Sequence, residues 1–127
     1  HPEEFAAGIS ICGMSDLNTW YRNTEQWIAA AAYPKYGNPV SDRDLLEQLS
    51  PLPRAHAVTA PLLLVHGLND TNVPPRESQQ MFEALTAVGR RAELLLFDDD
   101  GHAIDKRENR AFLLKAMMAW LTDAFVG

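Results

Sequence analysis

The chain has 127 residues, which is enough for one hydrophobic core and too few for two independent domains. Hydrophobic residues make up 46% and charged residues 22% of the composition, as in ordinary globular proteins, which excludes long disorder. Eleven Lys and Arg against seventeen Asp and Glu give a formal charge of -6 at pH 7, so neither nucleic acid nor an anionic lipid surface is an expected partner. No apolar run approaches the roughly 20 residues that span a bilayer.

The cysteine content and the first residues of the chain bear on the cellular compartment. The single cysteine, Cys12, cannot form an internal disulfide, and because it lies in an apolar stretch we interpret it as a buried, unreactive thiol. Nothing indicates an oxidising compartment, so we expect a cytoplasmic location. The chain opens His1-Pro2-Glu3-Glu4, without an initiator Met or a signal peptide, and we interpret it as a piece of a longer protein.

The first part of the chain predicts one strand followed by helices. Residues 6–13 are apolar and lead into a polar exit, which indicates a short buried strand. Apolar side chains recur at helical spacing from Thr19 to Ala32, and Pro34 together with Gly37-Asn38-Pro39 is predicted to end that helix. Ser41 is predicted to cap a further short helix, which stops at residues 50–53.

Two continuous apolar runs, residues 61–67 and 91–97, predict parallel strands buried on both faces. A helix between them is predicted to begin at Pro74-Pro75 and to end at Gly89. A last helix follows, with an apolar face made of Phe112, Leu113, Ala116, Met117, Trp120, Leu121, Ala124 and Phe125. Its opposite face carries charges of both signs, so the apolar face is core rather than a membrane anchor. This alternation predicts an α/β fold with three parallel strands and flanking helices.

The loops that follow the second and third strands carry the residues of chemical interest. Ligands of open parallel sheets bind beyond the carboxyl ends of the strands. Asp70 lies in the loop after the second strand, and His102 in the loop after the third. If the loops lie side by side, Asp70 can accept the Nδ1 hydrogen of His102 and stabilise the imidazolium that forms when His102 acts as a base. The pair makes two thirds of a nucleophilic triad, in the chain order of the α/β-hydrolases, which places the nucleophile upstream.

No serine upstream of Asp70 has the pattern expected of the nucleophile. The elbow Gly-x-Ser-x-Gly, whose glycines permit a strained strand-to-helix turn, is absent. Ser10 has a glycine only on its N-terminal side and lies inside the first strand. Ser15 follows that strand without an elbow pattern. A complete triad within this chain is therefore not expected.

Three segments together resemble the C-terminal part of the prolyl oligopeptidase family of serine peptidases, which includes acylaminoacyl-peptidases and dipeptidyl-peptidases. They are His-Gly-Leu-Asn-Asp-Thr-Asn-Val-Pro (66–74), Asp-Asp-Gly-His-Ala (99–103) and the opening residues 1–10, and the resemblance covers essentially the whole chain. It implies the C-terminal half of an α/β-hydrolase catalytic domain over residues 1–127, with Asp70 as the triad acid and His102 as the base. It also implies a peptide substrate, no cofactor, and a serine, an oxyanion hole and any propeller that lie outside this chain.

Other polar residues have simpler interpretations. His66, at a strand end, is interpreted as a structural residue near the site. His56 and His66 have no partner at zinc-ligand spacing. The acidic run 98–100 does not fit an EF-hand loop, because Leu96 stands where an oxygen ligand is needed, so no metal site is expected.

Several alternatives stay open. The aromatic residues Trp20, Tyr21 and Trp27 are interpreted as core and pocket wall, and a part in substrate binding is not excluded. The chain could derive from an esterase or lipase, since Asp and His serve ester and amide substrates alike, or it could be a non-enzymatic binding module. A first strand without its neighbour would expose a sheet edge. We therefore expect the isolated chain to be inactive, and to self-associate or rebind the missing N-terminal half of the domain.

Overall fold

Three short apolar runs form the sheet. Their Ile, Val and Leu side chains favour strands and pack against the helices on its two faces. In the computed structural model, which describes residues 1–126, the strands are β1 (Gly8–Ile11), β2 (Leu62–Gly67) and β3 (Ala92–Phe97). They are parallel and lie in the order β1-β2-β3. The predicted α/β class with three parallel strands is confirmed.

Five α-helices connect and flank these strands. They are α1 (Leu17–Asn23), α2 (Gln26–Tyr36), α3 (Arg43–Leu49), α4 (Arg76–Ala87) and α5 (Arg107–Val126). Short 3₁₀ helices cover Pro2–Glu4 and Leu52–Ala57. As predicted, Pro74-Pro75 immediately precedes α4, and Gly89, with a φ of 72°, follows its end. Across the described residues 1–126, no helix combines the length and apolar character needed to cross a membrane.

The prediction of one helix from Thr19 to Ala32 is wrong, since α1 and α2 are separate. Thr24 ends α1, where its backbone N–H donates to Trp20 O and its hydroxyl donates to Asn72 O at 2.8 Å. Pro34 does not end α2, because a proline in the last turn costs only one hydrogen bond. The helix continues to Tyr36 and ends at Gly37, which belongs to the predicted stop and whose φ of 107° suits a glycine.

The predicted cap of the next helix is also wrong. The residue before α3 is Asp42 rather than Ser41, and its side chain makes no capping bond. The Asp42 carboxylate instead accepts from the backbone N–H of Asn38 at 2.8 Å, so it closes the preceding turn.

The sheet is covered on both faces by helices. On one face Leu63 and Val65 of β2 pack with residues of α5, and on the other face Leu64 packs with Met81 and Leu85 of α4. β2 is buried on both faces, as predicted. β3 is not: Phe97 alone among its residues is buried, because within residues 1–126 β3 has a neighbouring strand on one side only.

The predicted apolar face of α5 is partly confirmed. Leu113 and Trp120 are buried, and Met117 packs beside them against the sheet. Phe112 and Phe125, which were predicted on the same face, are 57% and 72% exposed. They lie at the margin of a long helix that covers only three strands.

A third apolar cluster joins α1, α2 and α3 at the carboxyl end of the sheet. Its buried members are Leu17, Trp20, Tyr21, Ala29, Ala32, Leu46 and Val73. Val73 belongs to the loop after β2, so the packing of this helical layer holds the loop that carries Asp70.

Candidate functional site

The loops after β2 and β3 lie against each other because Gly67 allows it. The backbone N–H of Leu68 donates to Phe97 O at 2.8 Å, and that of Asn69 donates to Asp100 O at 3.0 Å. A Cβ on Gly67 would lie 2.2 Å from Gly101 O, a distance that no side chain tolerates. The absence of a side chain at this position is therefore what brings the two loops into contact.

This contact brings together the two residues that the sequence singled out. The Nδ1 hydrogen of His102 is donated to Asp70 Oδ2 at 2.9 Å. The Asp70 side chain is completely buried, whereas the His102 side chain is 49% exposed. Within residues 1–126, Nε2 of His102 has no hydrogen-bond partner, so the outer nitrogen of the ring is free to meet a reacting group.

The Asp70 carboxylate is held by its own loop. Its Oδ1 accepts from the backbone N–H of Asn72 at 3.0 Å and from that of Val73 at 2.9 Å. These bonds form an Asx turn, a local structure that an aspartate stabilises by bonding to backbone two and three residues ahead. This turn leaves Oδ2 facing His102. Both oxygens of the buried Asp70 carboxylate are therefore hydrogen-bonded.

His66 lies directly beneath this pair and is fully buried. Its Nδ1 lies 2.7 Å from Ser78 Oγ on α4, and its Nε2 lies 2.7 Å from Val73 O. Nε2 is also 3.1 Å from Asp70 Oδ2. The sequence placed His66 near the site, and in the structure it contacts the Asp70 loop itself.

Cys12 directly follows β1 and lies beside the same loops. Its φ of 52° is unusual for a residue other than glycine, and its backbone N–H donates to Val65 O at 2.8 Å. The thiol is buried, and its sulfur lies 4.0 Å from Gly101 O. Burial, followed by the nearby Asp70 carboxylate, raises the pKa of the Cys12 thiol, although a hydrogen bond from the Gly67 backbone opposes this. The interpretation as an unreactive thiol fits this environment.

A cavity of about 500 Å³ opens beside His102. Trp27, which is 71% exposed, and Trp20 line it together with Ile28, Tyr36 and Val73. The indole N–H of Trp20 donates to Asn72 O at 2.9 Å, which fixes this wall to the Asp70 loop.

The three aromatic residues that were predicted as core and pocket wall thus separate into two roles. Trp20 and Tyr21 are buried in the helical cluster, where Trp20 also lines the cavity and Tyr21 donates its hydroxyl to Gly37 O at 2.9 Å. Trp27 stands at the cavity and is largely uncovered.

The two serines considered upstream lie away from His102. The Ser15 hydroxyl is buried and donates to Glu77 O at 2.7 Å. Ser10 lines a separate cavity of about 190 Å³ with Leu64 and Ser78, on the face of the sheet that α4 covers. Neither hydroxyl has a hydrogen bond to His102.

Glu77 forms a second polar cluster that the sequence did not indicate. Its fully buried carboxylate accepts from the backbone N–H groups of Ser15 at 2.9 Å and Asp16 at 2.8 Å, and from the hydroxyl of Thr19. Gln80, one turn further along α4, donates to both the Ser15 and the Thr19 hydroxyls. The cluster joins the start of α1 to α4. The sequence could not predict it, because an acidic residue on the polar side of a helix is normally expected to be exposed.

Among residues 1–126, two groups of side chains have the spacing to hold a metal ion: the exposed residues His1, Glu3 and Glu4, and a buried group beside the site. Potential ligand atoms of Cys12, His66 and Asp70 lie within 4.8 Å of one another. Two of the three are already engaged, however: Nε2 of His66 must carry a hydrogen to bond Val73 O, and Asp70 accepts the hydrogen of His102 Nδ1. A metal ion would have to break these bonds, so we assign no metal to this group.

Known proteins share both the sequence and the fold. The prolyl oligopeptidase family profile matches residues 1–127. Dipeptidyl aminopeptidase BIII of Pseudoxanthomonas mexicana is 34% identical over 113 residues, which are 85% of this chain and 16% of that protein. A Salmonella typhimurium protein with the provisional name carboxymethylenebutenolidase is 33% identical over 86 residues, which are 62% of this chain and 32% of that protein.

A solved structure agrees with these relatives. Acylaminoacyl peptidase of Pyrococcus horikoshii is similar with a TM-score of 0.85 and 30% identity, over 93% of this chain and 20% of that one. The chain therefore spans about a fifth or less of the length of the peptidases it matches. The match over its whole length shows that this chain belongs to the prolyl oligopeptidase family, whose members are serine peptidases of the α/β-hydrolase fold.

Proposed function

We propose that the chain is the C-terminal part of a serine peptidase catalytic domain, in which Asp70 and His102 are the acid and the base of the triad. The observation that carries the proposal is the 2.9 Å hydrogen bond from His102 Nδ1 to Asp70 Oδ2, formed between a half-exposed imidazole and a buried carboxylate. The two residues follow neighbouring parallel strands, where ligands of such sheets bind.

In this mechanism the nucleophile is a serine outside residues 1–127. His102 Nε2 accepts the proton of the serine hydroxyl as the serine oxygen bonds to the carbonyl carbon of the substrate. The same proton then passes to the leaving amine, which departs and leaves an acyl-enzyme. A water molecule, activated by His102, hydrolyses the acyl-enzyme and regenerates the serine. Asp70 keeps the hydrogen on Nδ1 and stabilises the imidazolium.

The cavity beside His102 is proposed to receive an apolar side chain of the substrate. Its wall is formed mainly by apolar and aromatic groups, among them Trp27 and Ile28. Trp27 is exposed although it is large and apolar, and a ligand that covered it would remove that surface from water. Of the aromatic residues for which a part in substrate binding was left open, we therefore assign that part to Trp27 and not to Tyr21.

The outer edge of β1 is proposed to pair with a strand from the rest of the catalytic domain. Among residues 1–126, β1 pairs with β2 on one side and has no strand on the other. Two apolar side chains near this edge, Phe5 and Ile11, are 65% and 45% exposed. Alone, the chain would expose both the backbone groups and these side chains, which favours self-association or rebinding of the missing half.

A second candidate function is ester hydrolysis. The relative with the provisional name carboxymethylenebutenolidase supports it, because a butenolide is a cyclic ester. Asp70 and His102 would have the same roles on an ester, since the base takes the proton of the nucleophile and gives it to the leaving group whether that group is an amine or an alcohol.

The test begins with intact mass spectrometry of the native product, to learn whether a longer chain carries Gly-x-Ser-x-Gly upstream of His1. That product is then assayed on a dipeptide amide and on the ester with the same acyl group. His102→Ala is expected to abolish amide hydrolysis. His56→Ala, which changes an exposed histidine outside the site, is the matched control and is expected to keep it.

The outcomes separate the candidates. Amide turnover that His102→Ala abolishes and His56→Ala does not supports the peptidase. Turnover of the ester alone supports the second candidate. Turnover that survives His102→Ala contradicts both, and a native product that begins near His1 and shows no turnover favours a binding module. The 127-residue chain by itself is expected to be inactive.

A further inference from the structure

We propose that His66 is a positioning residue for the reaction, which holds the Asp70 carboxylate in place through Val73. The proposal rests on the proposed function, since it gives His66 a part in the work of Asp70 and His102. His66 would touch neither the substrate nor the nucleophile, because its ring is fully buried beneath the Asp70 loop.

The hydrogen bonds of His66 define its tautomer. Nε2 lies 2.7 Å from Val73 O, and a carbonyl oxygen only accepts, so Nε2 must carry a hydrogen. Nδ1 lies 2.7 Å from Ser78 Oγ, and a hydroxyl can donate to it. Ser78 is itself buried on α4, so the ring is fixed at one end to a rigid helix and at the other end to the loop.

This arrangement acts on Asp70 along two routes. Val73, whose carbonyl receives the His66 hydrogen, is also the residue whose N–H donates to Asp70 Oδ1 at 2.9 Å. Fixing the Val73 carbonyl therefore fixes the turn that holds one oxygen of Asp70. The other oxygen, Oδ2, lies 3.1 Å from the same Nε2. Because that ring hydrogen is aimed at Val73 O, this second contact is an electrostatic one, between an N–H dipole and the oxygen that receives His102.

A purely space-filling role does not explain these contacts. A leucine would fill the same volume between β2 and α4 without the cost of burying two polar ring atoms. The imidazole instead bonds two polar groups, Val73 O and Ser78 Oγ, and its Nε2 lies against the carboxylate oxygen that orients His102. We therefore expect loss of His66 Nε2 to reduce the rate of the chemical step more than it reduces substrate binding.

The test uses a matched pair of variants in the native product. In His66→Gln the side-chain amide can place an N–H near the position of Nε2. In His66→Asn the shorter amide can reach Ser78 but not Val73. We expect His66→Asn to lower kcat about tenfold to a hundredfold with little change in KM, and His66→Gln to recover most of that loss. The low-field proton resonance of His102 Nδ1–H is expected to broaden in His66→Asn and to persist in His66→Gln.

Other outcomes overturn the inference. A folded His66→Asn variant with unchanged kcat and an unchanged resonance would show that His66 only fills space, and so would Gln and Asn variants with equal activity. If His66→Asn does not fold, Ser78→Ala replaces it: a retained kcat with a loss of stability also overturns the proposal, whereas a lower kcat at unchanged KM supports it. Failure of the proposed function is distinguishable, because it appears as activity that survives His102→Ala.

Discussion

Two buried carboxylates, Asp70 and Glu77, lie seven residues apart in the chain and have opposite surroundings. Both side chains are enclosed, and both accept two backbone N–H bonds. The further partner of Asp70 is His102, which is half exposed and free at Nε2 within residues 1–126. The further partners of Glu77 are hydroxyls that are bonded in turn to Gln80.

The difference lies in where each cluster ends. A hydrogen-bonded group can take part in a reaction only if the last member of its chain is open to solvent or substrate, and His102 is half exposed and lines the cavity. The Glu77 cluster ends on backbone and on side chains of α1 and α4, so every change there is a change in the packing of the fold. We therefore expect substitutions of Asp70 to affect rate, and substitutions of Glu77 to affect stability.

The largest expected effect is that of Asp70→Asn on rate. Asparagine can still accept from the N–H of Asn72 and Val73, so the fold is retained. Its NH₂ would face His102 Nδ1 and favour the tautomer with the hydrogen on Nε2, which cannot accept the serine proton. We expect kcat of the native product to fall about 10⁴-fold. A steady-state assay beside a thermal melt checks this, and a fall of less than tenfold would contradict the assignment.

Glu77→Ala is expected to have the largest effect on stability. Removal of the carboxylate leaves the N–H groups of Ser15 and Asp16 buried without a partner, at a cost of about 3–5 kcal/mol in the free energy of unfolding. Urea denaturation measures the loss. Glu83→Ala on the same helix is the control: Glu83 and Arg76 form an exposed ion pair at 2.8 Å, and its loss should cost less than about 0.5 kcal/mol. Equal costs for both substitutions would refute the structural role of Glu77.

Gly67→Ala tests the contact that joins the two loops. Its Cβ would lie 2.2 Å from Gly101 O and 2.4 Å from Asp100 O, so the loop after β3 must move and take His102 away from Asp70. We expect kcat to fall about 10²-fold and the free energy of unfolding to fall by about 1–3 kcal/mol. Gly101→Ala, where the nearest atom is Asn69 O at 3.4 Å, should be milder in both measurements. An inactive Gly101→Ala beside a normal Gly67→Ala would contradict this account.

The sequence predicted the Asp70 cluster and not the Glu77 cluster for a physical reason. Asp70 and His102 follow strands of one parallel sheet, and the topology alone brings such loops to the same edge. Glu77 lies on a helix whose polar residues look solvent-exposed, and it is buried only because the β1–α1 loop folds over it. Contacts that depend on the path of a loop leave no periodic signal.

The break between α1 and α2 could not be predicted from the sequence for a similar reason. Apolar residues recur at helical spacing from Thr19 to Ala32, yet the helix is interrupted where the Thr24 hydroxyl bonds Asn72 O, 48 residues away in the chain. Pro34 does not break the helix, because the cost of a proline depends on its place and Pro34 lies in the last turn. Propensities identified the elements, while long-range bonds placed their ends.

The smallest expected effect concerns Cys12, which lies beside the Asp70 cluster without belonging to its chain of hydrogen bonds. Burial raises the pKa of this thiol, so the folded chain holds little thiolate at neutral pH. Alkylation by iodoacetamide at pH 7.5 should be about tenfold or more slower in the folded chain than in urea. As the pH rises through and beyond the ordinary pKa of a thiol, the folded rate should keep increasing after the unfolded rate has levelled. Fast labelling at neutral pH would contradict this, and would show that the Cys12 thiol is accessible and reactive.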